Sequence, residues 1–276
     1  MKSGLMLKNK QGFTIVEVLI VLAVSGAFLV SALSLIAGSQ NKTLFNQAIN
    51  DAQQQIDMLA NNVANGYYPQ TTKVGGCKKS TSGSYLDFSD PAVERGTNGN
   101  CTFLGRVIQF TTDETATVYS VAGLRLTDEI SPVEVTSMNK AMPTTLLESQ
   151  TITWKSGIKV GKLTYKATLP PPAVVPKDTG AIGFFTGFGT RAVGGSSDLQ
   201  AGGLSADFVP IAGSSLGSNL PNLIKATGLS DFRAKYEADK NPAGGIEICF
   251  NSGTTNQRGI ITIGGANKTA TSTLII

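Results

Sequence analysis

Between Phe13 and Ala37 the chain carries one charged side chain, Glu17, in a run that is otherwise apolar or small. At about 1.5 Å per residue a helix over this stretch reaches roughly 37 Å, enough to cross a bilayer core with some tilt. A conventional secretory signal has a shorter apolar core, roughly 7–15 residues, and a small-residue cut after it. An uncleaved anchor explains the apolar residues but not the acid. A carboxylate in hydrocarbon costs on the order of 2.5–3.5 kcal/mol near a helix centre, and less toward an end. Glu17 therefore needs a cationic partner, and no neighbouring side chain supplies one.

Cleavage would supply one. The stretch reads Lys8-Asn9-Lys10-Gln11-Gly12-Phe13-Thr14-Ile15-Val16-Glu17, and a cut between Gly12 and Phe13 would place a new α-ammonium in the apolar layer of Glu17. The two could pair within one helix or between subunits packed helix to helix, favourably only while both charges are present. This arrangement resembles the type IV pilin family, including the pseudopilins of secretion and DNA-uptake systems. The resemblance rests on Gly12, Phe13, Glu17 and the apolar helix, covers residues 8–37, and says little about residues 70–276. It implies removal of leader 1–12 by a prepilin peptidase, methylation of the Phe13 amine, and a Glu17–Phe13 charge pair that guides assembly. It also implies membrane lipid, an inner-membrane assembly platform, copies of the same chain and other pilins as partners. Many pilins carry a proline in the membrane half of this helix; here there is none, and Ser25, Gly26, Ser31 and Ser34 read as plain helix packing.

The basic leader orients the helix with its start on the cytoplasmic side, so that everything after residue 38 faces outward. Removing Lys2, Lys8 and Lys10 from the 23 basic residues leaves 20 against 19 acids. That balance gives no case for nucleic acid, which favours a clearly basic face. Three cysteines suit an oxidising exterior. Cys77 and Cys101 flank a polar, glycine-rich segment that a disulfide between them would close, worth about 3 kcal/mol on the chain-entropy model. Cys249, inside the apolar pattern Gly245–Phe250, reads as a buried free thiol, although three cysteines leave other pairings open.

After Ala37 the composition turns polar while helical spacing persists. Phe45, Ile49, Ala52, Ile56, Leu59 and Val63 step by four, three, four, three and four, a single apolar seam. Gly66 and Pro69 end it, so residues 13–66 read as one helix, with 13–37 the membrane or filament-core part. Residues 67–276 read as a β-rich head, and the fold class is α+β, the distal half of the helix packing on an antiparallel head. Strands are expected at Gly105–Phe110, Thr115–Val121, Thr151–Lys155 and Ile158–Thr168, with Ser156-Gly157 as a hairpin turn. The region Leu124–Leu147 is ambiguous, and the proline-rich stretch 169–176 reads as a stiff connection. Phe184, Phe185 and Phe188 suit strand or contact positions. A helix is expected near Leu220–Asp239, and Gly245–Phe250, Gly259–Gly264 and Thr271–Ile276 read as a closing antiparallel set.

There is no histidine in the chain, which removes Ser-His-Asp and Cys-His catalysis and the common histidine zinc sites. Asp87, Asp90 and Glu94, and Asp113 with Glu114, read as solvated loop carboxylates rather than acid–base pairs. No EF-hand spacing supports calcium at Asp87 and Asp90. Tyr67, Tyr68, Tyr85 and Phe88 read as packing between head and helix rather than an adhesive surface. No catalytic residue, cofactor or metal site is expected. The function implied is structural, a subunit of a type IV pilus-like filament, with a minor pilin, a pseudopilin or a membrane-anchored surface binding protein as alternatives.

Overall fold

The computed structural model of the chain describes residues 14–65, 78–79, 85–87, 101–126, 133–168, 174–186, 206–211, 214, 216–217, 236, 240–242, 244–253, 256–264 and 271–275. Its first element is one helix, α1 (Ile15–Ala64), about 75 Å long at the standard rise. The chain divides into two compact units, Met1–Leu44 and Phe45–Ile276, so the distal part of α1 belongs to the head. There the apolar seam is buried as its spacing predicts: Phe45, Ile49, Ala52, Ile56, Leu59 and Val63 each expose 3% or less, and Ala48 joins them. Gly66 and Pro69, read as the end of the helix, lie outside the described residues.

The remaining elements in chain order are β1 (Lys78–Lys79), β2 (Leu86–Asp87), β3 (Cys101–Phe110), β4 (Thr115–Leu124), the short helix α2 (Met138–Ala141) and β5 (Thr144–Thr153). Then come β6 (Ile158–Thr168), β7 (Val174–Asp178), β8 (Ala181–Thr186), β9 (Ala206–Pro210), β10 (Ile246–Ser252), β11 (Arg258–Ile263) and β12 (Thr271–Ile275). They form two antiparallel five-stranded sheets, in the orders β5-β4-β3-β8-β9 and β12-β11-β10-β6-β7, beside the small β1–β2 pair. The expected closing set is therefore present as β10, β11 and β12. Phe184 and Phe185 are buried on β8, while Phe188 lies outside the described residues.

One core joins the distal α1 seam to a face of each sheet, through Ile108, Phe110 and Phe184 on one side and Val160, Ile248 and Ile261 on the other. The fit is close at β11, where a Cβ on Gly259 would lie 3.1 Å from the Ile49 side chain. The first sheet is covered on its other face as well, by Leu86, Val135, Met138, Met142, Ile211 and Tyr236. The second sheet alternates in the manner of a sheet with one wet face: Ile246, Ile248 and Phe250 are buried, while Glu247, Cys249 and Asn251 point the other way.

The structure corrects two expectations. Ser156 and Gly157 do make the tight left-handed turn, at φ 55° and 68°, but β5 and β6 do not pair across it. β5 pairs with β4, and β6 pairs with β10 and β7. Trp154, just before the turn, is buried against Phe110 of the first sheet and Phe250 of the second, with ring centroids 6.0 and 5.5 Å away. Burying that indole carries the chain from one sheet to the other, so the turn is a corner and not a hairpin. Similarly, the proline-rich stretch is not wholly a connection: Val174–Asp178 is the edge strand β7, with Pro176 opposite Lys166. Proline lacks the N–H a central strand must donate, and an edge tolerates it. The helix expected near Leu220–Asp239 falls outside the described residues apart from Tyr236, which is buried and donates to Asp207 at 3.1 Å.

Candidate functional site at the start of the long helix

Thr14 sits immediately before α1, and Glu17 lies in its first turn. The backbone N–H of Glu17 donates to Thr14 Oγ1 at 3.3 Å. In return Glu17 Oε2 accepts from both the backbone N–H and the hydroxyl of Thr14, each at 3.2 Å. This reciprocal arrangement is a capping box, which satisfies two of the donors that every helix start leaves over. The carboxylate also faces the positive end of the helix dipole. Glu17 thus has hydrogen-bond partners on Thr14, none of them a cation. Thr14-Ile15-Val16-Glu17 displayed that signal in the sequence. Hydrogen bonds satisfy the oxygens without cancelling the charge, so the need for a cation in an apolar setting stands.

From Ile15 to Val30, α1 is apolar on almost every side and its residues are exposed. Ile15, Leu22, Phe28 and Val30 expose 81%, 63%, 72% and 68% of their surface. By length and composition this stretch can cross a membrane. Ser31 returns its hydroxyl to the Ala27 carbonyl at 2.9 Å, so it presents no unsatisfied donor. A Cβ added to Gly26 would meet nothing within 4 Å, so no described group requires the small residue there.

The other sequence-derived positions fall elsewhere. Gly12, Phe13 and Cys77 lie outside the described residues, as do Tyr67, Tyr68, Phe88, Asp90 and Glu94. Cys101 opens β3 opposite Leu124. Cys249 is a free cysteine, but half-buried on the outer face of the second sheet rather than buried in the core, because the β10 alternation puts Ile248 and Phe250 inward instead. Burial, and secondarily the Glu247 charge, push its thiol pKa up against the opposing pull of Lys162 and Arg258. Asp113 and Glu114 both bind Lys159, at 3.0 and 2.9 Å. Asp87 is exposed on β2, and no metal-binding cluster of acidic or cysteine side chains occurs among the described residues.

A long amino-terminal helix, apolar over its first half, together with an antiparallel β head is an α+β layout consistent with a pilin-like fold. Residues 7–33 match the prokaryotic N-terminal methylation motif, so the chain carries the signature of type IV prepilins and pseudopilins. No curated protein and no solved structure matches the chain.

Proposed function

We propose that this protein is a structural, non-catalytic subunit of a type IV pilus-like surface filament. Residues 1–12 are the leader, cut between Gly12 and Phe13 by a prepilin peptidase that methylates the new amine. Residues 13–37 rest in the inner membrane, with the head outside, until the assembly platform moves the subunit into the filament. Glu17 then pairs with the Phe13 amine of its own or a neighbouring subunit. The observation that carries this reading is the methylation motif over residues 7–33, set on a helix whose first part, from Ile15 to Val30, exposes its apolar side chains and carries one acid, Glu17, in the first turn.

The test is mass spectrometry of material sheared from native cells, quantifying the amino-terminal peptide. Abundant peptide starting at N-methylated Phe13 is the expected result. The same peptide in traces, or retained with the cells, would identify a minor pilin or a pseudopilin of a secretion or competence system. A chain still starting at Met1 would overturn the proposal and leave a membrane-anchored surface binding protein. Gly12→Asp should leave the longer precursor in the membrane, whereas Glu17→Ala should be cleaved normally and enter filaments poorly. A disulfide between Cys77 and Cys101 fits the exterior location, and a non-reducing peptide map of the same material reports it.

A further inference from the structure

β9 is an edge strand of the first sheet, and an edge strand presents backbone groups that can pair with another chain. Ile211, just past its end, donates its N–H inward to the Ala181 carbonyl at 3.0 Å. By the alternation of an antiparallel ladder, Ala206, Phe208 and Pro210 then turn their backbone groups outward. Pro210 has no N–H to offer, which leaves Phe208 at the centre of the edge. Both of its outward groups are taken by one residue. The Asn241 N–H donates to the Phe208 carbonyl at 2.8 Å, and Asn241 Oδ1 accepts from the Phe208 N–H at 3.0 Å. A strand residue opposite Phe208 would exchange the same two bonds, so Asn241 stands in for one.

The stand-in is one residue wide and is fastened beside the strand. Asn241 takes the left-handed conformation, φ 49°, which asparagine tolerates and an extended strand does not contain. Pro242 follows it and cannot donate to a ladder. Asp207 holds the side-chain amide: its Oδ1 accepts from Asn241 Nδ2 at 2.6 Å, and its Oδ2 accepts from the Tyr236 hydroxyl at 3.1 Å. Tyr236 is the anchor, buried with its ring edge-on to Phe185. Asn241 itself is exposed. Phe208 does not depend on Asn241 for its place, because its ring packs on the second sheet at Gly264, where any Cβ would collide with it.

We propose that Asn241 is a releasable latch that occupies the β9 edge and keeps it from pairing with β9 of a second copy. The second copy fits because two Phe208 residues facing each other antiparallel would exchange the pair of bonds that Asn241 now makes. The proposal concerns the head alone and stands whether or not the chain enters a filament. The experiment follows amide exchange at Phe208 in the full chain in detergent, dilute and concentrated, at a constant ratio of detergent to protein. Asn241→Gly suits the left-handed backbone and keeps its N–H, and removes only the side chain. The native chain should exchange slowly at both concentrations. The dilute variant should exchange about tenfold faster at Phe208, the factor for one ordinary hydrogen bond lost, while Ile246–Phe250 stay protected. Concentrating the variant should slow Phe208 again as the freed edges pair. Native-like exchange in the dilute variant, or exchange equally fast at both concentrations, overturns the latch. A second comparison tests the fastening. Asn241→Asp sets two carboxylates against each other and should open the latch, whereas adding Asp207→Asn restores donor and acceptor with their roles reversed and should return native exchange. Equal exchange in the single and double variants overturns the proposal.

Discussion

The two halves of α1 are one unbroken helix and yet answer to different surroundings. From Ile15 to Val30 every face is apolar apart from Glu17, Ser25 and Gly26, and the residues are exposed. From Phe45 to Ala64 a single seam is buried and the rest is mostly polar. Under the proposed function the first half acquires its order from lipid or other helices; the second acquires it from the head. Helical propensity is similar in the two, so what separates them is the period of the apolar residues. A stripe asks for one partner, and an all-round apolar surface asks for a surrounding.

The sharpest way to break this contrast is to truncate one large side chain in each half. Ile49 is fully buried against β11, so Ile49→Ala should cost about 2–5 kcal/mol of head stability, the range for a core truncation that leaves a cavity. Leu22→Ala should leave head stability unchanged within about 0.5 kcal/mol, as for a substitution away from the core. The lone tryptophan, Trp154, is buried between the two sheets and reports on the head core alone. Its fluorescence during urea unfolding of the full chain in detergent measures both variants. Equal losses would show that the halves are energetically one body.

The halves also differ in how legible they were. Their spacing, the acid and the seam were readable because each depends on residues within one or two turns. Strand positions in the closing set were readable too, since alternating Ile246, Ile248 and Phe250 signal a one-sided sheet. Pairing was not. Ser156-Gly157 specifies a backbone turn but not which strand lies across it, and the burial of Trp154 between sheets decides that. β5 begins at Thr144, earlier than expected, because Thr144–Gln150 looks polar while its ladder partner β4 is set by long-range contact. β9 was hidden in a Gly- and Ser-rich region, where Asp207-Phe208-Val209 is too short to signal a strand. At the site, the capping box was legible in the spacing of Thr14 and Glu17, because it too depends on residues within one turn.

A smaller effect sharpens the contrast at the start of the helix. Thr14→Val keeps the shape but removes the hydroxyl that accepts from the Glu17 N–H; losing such a cap costs about 1 kcal/mol of helix stability. Because the cap is built from Thr14 and Glu17 alone, the loss should stay local. Amide hydrogen exchange in detergent should accelerate several-fold at Ile15–Val18 and remain unchanged from Phe45 to Val63. Thr14→Ser, which retains the hydroxyl, should exchange as the native chain does. Acceleration spreading into the distal half would show that fraying travels along α1.

The smallest effect belongs to the head surface, where the corner between the sheets is fastened by Lys159. Hydrogen bonds to Glu114 first, and to Asp113 second, raise the lysine pKa above its ordinary 10.5. A cation whose pKa is raised on folding contributes stability that is fully present below the unfolded value and lost as pH rises through the folded one. The window is therefore alkaline, beginning near pH 10.5, and neutral pH should leave the contribution intact. Both carboxylates are largely exposed, so salt screens the pair and the contribution is small. Lys159→Met should lower the urea midpoint slightly at pH 7 and flatten its decline above pH 10.5. An identical decline in both proteins would assign the alkaline sensitivity to other groups, such as Tyr119, whose pKa burial also raises.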